Sequence, residues 1–99
     1  MIDLQQITGF DWDDGNGRKS ADKHDVSQAE AESILFNDPL IVVEDMKHSR
    51  DEQRFHALGK TTQGRLLHIT FTIRGDGALI RVISARDMDR KERRFYEQG

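Results

Sequence analysis

The chain has no cysteine, so neither disulfide bonds nor thiolate metal sites enter its design. It has one proline and one tryptophan among 99 residues. There is no proline-rich linker to divide it, and the length suits one domain with a modest core. No apolar run approaches the ~20 residues that span a bilayer, and Met1-Ile2-Asp3 starts no secretory signal, so no membrane is involved and the cytoplasm is the expected compartment. The four histidines, His24, His48, His56 and His68, show neither HxH nor HExxH spacing, which leaves no paired metal ligands on one element. No GxSxG surrounds Ser27 or Ser49, and Gly15-Asn16-Gly17 and Gly75-Asp76-Gly77 lack the phosphate-loop lysine. No metal or cofactor is expected.

Charge is plentiful, at 33% of residues, and unevenly placed. Residues 1–46 carry 3 Lys/Arg against 11 Asp/Glu, whereas residues 47–99 carry 12 against 7. A net of −3 therefore conceals a cationic C-terminal half suited to an acidic or phosphate-bearing partner.

The stretch from Arg65 to Arg86 commits most clearly to structure. Leu67, Ile69, Phe71 and Ile73 alternate with His68, Thr70, Thr72 and Arg74, the period of a half-buried strand. Leu79 to Ala85 is a second strand, and Asp76-Gly77 suits a tight turn between them. A regular hairpin with that loop sets Thr72 opposite Arg81 and Leu67 opposite Arg86. Arg81 interrupts an apolar run and must reach a carboxylate, a phosphate or solvent, with Glu52 and Glu92 the nearest candidates.

Around this hairpin, Leu4 to Asp13 reads as an early strand with Phe10 and Trp12 inward. Lys19 to His24 reads as a short helix. Val26 to Asn37 is a firmer helix, begun by a Ser27/Glu30 capping box and a Val26/Ala31 staple, and ended by Asp38-Pro39. Leu40 to Val43 reads as a buried strand and Arg54 to Lys60 as another, with Phe55, Ala57 and Gly59 on one face. Ser49 and Glu52 form a second potential capping pair. Asp87 or Asp89 caps a last helix that reaches Gln98 and has Phe95 and Tyr96 to bury. The expected fold is α+β: a small antiparallel sheet packed by N-terminal helices and a C-terminal helix.

Metal-free cleavage of RNA needs a base for the 2′-hydroxyl, cations for the phosphate and an acid for the leaving oxygen. His24, His48 and Glu52 supply acid/base groups; Lys23, Arg54, Arg65, Arg74, Arg81 and Arg86 supply cations.

The segments Phe10-Asp11-Trp12-Asp13, Lys23-His24-Asp25-Val26-Ser27, Glu44-Asp45 with His48-Ser49, Glu52 and Arg54, Gly59, and Gly64-Arg65-Leu66-Leu67 resemble the BrnT toxins. So does the most specific block, Ile80-Arg81-Val82-Ile83-Ser84-Ala85-Arg86, with Glu92-Arg93 and Tyr96 after it. The resemblance implies a RelE-like fold and a type II toxin that arrests growth by cleaving RNA without metal. It also implies a BrnA-like antitoxin, in a heterotetramer with two copies of each chain, that alone contacts operator DNA. On that basis Lys23, His24, Glu52, Arg65, Arg81 and Arg86 are the expected catalytic set, with His24 the preferred base and Glu52 the runner-up. The chain departs from the family pattern at Asn16 and Ser20, where a lysine and an asparagine are usual, and at Asp25, where a glycine is usual. The alternative is a catalytically weak, toxin-like binding module that acts with its antitoxin as a transcriptional co-repressor.

Overall fold

The computed structural model describes residues 6–12, 24–48, 52–74 and 79–98. Among these residues five strands and two helices follow in the order β1 (Gly9–Asp11), α1 (Gln28–Ser33), β2 (Ile41–Glu44), β3 (Arg54–Lys60), β4 (Leu66–Arg74), β5 (Leu79–Asp87) and α2 (Arg90–Gln98). The strands form one sheet in the order β1-β5-β4-β3-β2. Strands β2 to β5 are antiparallel, but β1 joins β5 in parallel, so the sheet is mixed and not purely antiparallel. The chain leaves β1 for α1 and β2 at the far edge, and only β5 returns beside β1, which sets their common direction.

Alternation decides the two faces. Phe55, Ala57 and Gly59 of β3, Leu67, Ile69 and Phe71 of β4, and Ile80 and Val82 of β5 are buried on one side. Val26, Ala31, Ile34 and Leu35 pack against that side. Gly59 makes the approach possible: a Cβ there would stand 3.1 Å from the Ile34 Cβ and 3.2 Å from its carbonyl oxygen. The helix begins as its residues dictate. Ser27 Oγ accepts from the Glu30 amide at 3.1 Å and Glu30 accepts from the Ser27 amide at 3.0 Å, closing a capping box. After Ser33 it tightens into a 3-10 turn over Ile34–Phe36.

Three expectations change. β2 is an edge strand, not a buried one, with Val43 and Glu44 exposed. Only Tyr96 of α2 is buried, while Phe95 is 58% exposed. Most consequential, the hairpin is not regular. Thr72 does pair with Arg81, yet Leu67 pairs with Asp87 and His68 with Arg86. Thr70 meets Ser84 while Phe71 meets Val82, so Ile83 is an extra residue, a bulge in β5. The turn expected at Gly75 to Gly77, all but His24 of the helix expected over Lys19 to His24, and Ser49 lie outside the described residues.

Candidate functional site

In a regular strand the side chains of Arg81 and Arg86, five positions apart, project from opposite faces. The bulge at Ile83 inverts the alternation between them. Ile80 and Val82 face the core before it, and Ala85 does so after it. Arg81 and Arg86 consequently share the face opposite the core. Without the bulge, the Arg86 guanidinium would be driven among Leu67 and Ile69.

The pairing arranges this second face in rows across the sheet. Asp11, Arg81, Thr72 and Arg54 form one row; Ser84, Thr70, His56 and Val43 the next; Arg86, His68 and Leu58 a third. Arg74 stands beyond the first row, paired with Glu52 at 3.0 Å. Four arginines and two histidines thus occupy one surface, together with the carboxylates of Asp11 and Glu52.

Its centre is a chain of hydrogen bonds. The His56 Nε2 lies 2.8 Å from Asp45 Oδ2, and its Nδ1 lies 2.9 Å from Thr70 Oγ1 and 3.0 Å from His68 Nε2. The His68 Nδ1 in turn lies 2.7 Å from both Arg86 Nη2 and Glu92 Oε2. Arg86 grips Glu92 with two bonds of 2.8 and 3.0 Å. Backbone geometry places the ends: the Asp45 amide donates to the Arg54 carbonyl, continuing the β2–β3 ladder, and Glu92 closes a capping box with Asp89 at the start of α2.

Burial lowers the His68 pKa, the Glu92 carboxylate opposes that shift, and the positive charge of Arg86 and the neighbouring His56 reinforce it. A neutral His68 with Arg86 donating to its Nδ1 must carry its proton on Nε2. It then donates to His56 Nδ1, and His56 donates through Nε2 to Asp45. Burial would raise the Glu92 pKa, yet the bonds from Arg86 and the Asp89 amide hold it at about 2.

The expected site residues fall into two groups. Glu52 and Arg81 lie toward the Arg74 end of the hairpin. His24, Arg65 and Arg86 lie at the other end, roughly 15 Å along β5 at ~3.3 Å per residue. Lys23 lies outside the described residues. Glu52 pairs with Arg74 and Glu92 with Arg86, and the carboxylate in register with Arg81 is Asp11 of β1.

Arg65 is held from all sides. Its Nε and Nη2 donate to Asp87 at 2.7 and 3.0 Å, Nη1 donates to Glu30 at 3.1 Å and to the Asp25 carbonyl at 2.7 Å, and Nη2 also reaches the His24 carbonyl at 3.2 Å. A guanidinium has five N–H groups, and five bonds use them all. Asp25 takes a left-handed conformation, φ 54°, which presents its carbonyl to Arg65. The bond to Asp87 chiefly raises the Arg65 pKa, and that same bond chiefly lowers the Asp87 pKa.

In the sequence His56 and His68 figure only as scattered histidines without metal-ligand spacing, and Asp45 only among the residues of the family resemblance. Their signal was present but divided: each histidine falls on the polar phase of its own strand. Only the β3–β4 register, with Ala57 on Ile69 and Leu58 on His68, brings the two rings together.

The family model of BrnT, described as the ribonuclease toxin of type II toxin–antitoxin systems, matches residues 12–92. In three dimensions the chain is similar to the ribonuclease toxin BrnT of Brucella abortus, with a TM-score of 0.63 and 21% sequence identity, over 83% of this chain and 97% of that one. That likeness speaks for the fold. No curated protein matches the chain by sequence. Because the family model spans most of the sequence, including α1 and strands β2 to β5, the chain belongs to the BrnT family of type II ribonuclease toxins.

Proposed function

We propose that the protein is a metal-independent endoribonuclease with a RelE-like architecture, acting in the cytoplasm to arrest growth. The observation that carries this is the bulge at Ile83, which turns Arg81 and Arg86 to one face beside Arg54 and Arg74. A surface of spaced guanidinium groups suits successive phosphates of an extended strand. In this reading His24 removes the proton of a 2′-hydroxyl as its oxygen attacks the adjacent phosphorus. The bond to the 5′-oxygen breaks, leaving a 2′,3′-cyclic phosphate and a 5′-hydroxyl. Lys23 stabilises the charge that gathers on the phosphate, and Arg86 and Arg81 hold phosphates further along the strand. Arg65 has no N–H left for substrate, so its part is positional: it holds the backbone of His24 and Asp25 against β4 and β5. Glu52 is the second candidate base.

A BrnA-like antitoxin neutralises the toxin, in a complex of two chains of each kind whose operator contacts belong to the antitoxin. The commitment of Arg65 and most of Arg86 to internal partners favours a second reading, a weakly active co-repressor. One assay separates the two: the purified chain, freed of antitoxin, is incubated with RNA and with DNA in EDTA. Cleavage confined to RNA and reduced in His24→Ala supports the ribonuclease. Inactivity on every RNA, or loss of activity in EDTA, refutes it.

A further inference from the structure

We propose that His56 and His68 form a binding site for one divalent ion of the zinc, nickel or copper class. The outer nitrogen of each imidazole meets a carboxylate, His56 Nε2 at 2.8 Å from Asp45 and His68 Nδ1 at 2.7 Å from Glu92. The inner nitrogens, His56 Nδ1 and His68 Nε2, converge to 3.0 Å with the rings nearly perpendicular, at 75°. Histidine ligands of metal ions have this same backing, because a carboxylate on the far nitrogen fixes the ring and makes the near one more basic. Two nitrogens on one tetrahedral ion at ~2.0–2.1 Å stand about 3.4 Å apart, so an ion replaces the hydrogen bond between the rings: the rings turn to aim both nitrogens at it and separate by a few tenths of an ångström.

The double contact at His68 Nδ1 supports this further. Without an ion, Nδ1 accepts from Arg86 and Nε2 carries the proton toward His56. When an ion takes Nε2, that proton belongs on Nδ1, where Glu92 Oε2 already stands at 2.7 Å. Each tautomer therefore has its partner in place, and Arg86 keeps both bonds to Glu92 throughout. Among the described residues no group of three or more metal-binding side chains converges, so the protein supplies two nitrogens and water completes the shell. Water has access through His56, whose side chain is 30% exposed. Imidazole ligands favour zinc, nickel and copper over magnesium or calcium. The binding does not depend on the ribonuclease reading.

The test is calorimetric titration of the full chain with zinc chloride, alongside nitrogen-15 spectra of the imidazoles. One ion per chain should bind with micromolar affinity. His24→Gln and His48→Gln should leave the affinity within about twofold, whereas His56→Gln and His68→Gln should each lower it at least tenfold. The spectra should show His68 passing from the Nε2–H to the Nδ1–H tautomer as zinc is added. Magnesium should produce neither change. Absence of saturation below millimolar zinc, undiminished binding in both His56→Gln and His68→Gln, or an unchanged His68 tautomer with zinc bound would overturn the site. The tautomer measurement uses the unaltered chain, so it decides even where a variant fails to fold.

Discussion

Replacing Arg65 with methionine keeps much of the side chain's bulk and removes five hydrogen bonds at once. Their value is limited by exposure: the Arg65 side chain is 28% exposed, Glu30 30% and Asp87 60%, so both carboxylates regain water when the guanidinium goes. Exposed ion pairs contribute roughly 0–1 kcal/mol each. The carbonyls of His24 and Asp25 are the dearer loss, about 1 kcal/mol apiece for a hydrogen bond to a charged donor at a partly screened position. The sum is about 2–3 kcal/mol. In a domain of this size ~1 kcal/mol moves Tm by about 4–8 °C, so Arg65→Met should melt ~10–20 °C below the native chain.

The pH dependence supplies a second check. Arg65 lowers the Asp87 pKa directly, and Glu30 is lowered first by the Ser27 amide and then by Arg65. A carboxyl with a depressed folded pKa contributes stability above its unfolded value and loses it as pH falls through the folded one. The gap between native and variant should therefore be full above pH ~5 and narrow below pH ~4, as both carboxyls take protons. Circular dichroism melts across pH 3–8 measure it. A Tm within ~3 °C of the native value at pH 7, with RNA cleavage abolished, would refute the clamp and return Arg65 to the substrate.

Gly59→Val should cost about 1–3 kcal/mol, because its Cβ meets the Ile34 backbone and side chain at 3.1–3.2 Å; an unchanged Tm would show that the helix can retreat. Arg81→Met should reduce RNA cleavage about a hundredfold, as loss of one preorganised charge commonly does, while Tm moves by only a few degrees. A large fall in Tm would instead assign Arg81 to the fold. Deleting Ile83 removes the extra residue and leaves the other pairs in place: Arg81 and Arg86 then stand four positions apart on one face of a regular strand, with Arg86 still opposite His68. The deletion variant should fold cooperatively with a Tm within a few degrees of the native chain, and loss of a cooperative melt would show that the fold needs the bulge itself.

Local chemistry was legible from the residues. The bounds of β3 follow from its alternation, the capping box of α1 from Ser27 and Glu30, and the Thr72–Arg81 pairing from the turn residues. What escaped is nonlocal. A bulge needs no distinctive residue: Ile83 is as fit for a regular strand as Val82, and its displacement comes from fitting β5 against β4. The same bulge explains why Arg86 had been set opposite Leu67. Phe95 was assigned to the core on hydrophobicity alone, although α2 has room to bury only Tyr96. The histidine pair was hidden because a search along single elements cannot see ligands contributed by adjacent strands. The parallel seating of β1 depends on which edge remains open after β2 to β5 have paired.

One carboxylate joins these nonlocal features. Glu92 Oε1 accepts from the Asp89 amide and from Arg86, while Oε2 accepts from Arg86 and contacts His68. It is at once the cap of α2 and the anchor of the polar face. Besides Tyr96, whose hydroxyl donates to the Pro39 carbonyl, α2 has little apolar surface to bury, so this carboxylate is a principal tie to the sheet. Docking of the last helix and orientation of Arg86 are therefore one event. Loss of Glu92 frees Arg86 and loosens α2 together, whereas loss of Arg65 acts at the opposite side of β5, on the backbone of His24. The two guanidiniums at this end of the hairpin are thus held by separate devices, one tied to the C-terminal helix and the other to the segment before α1.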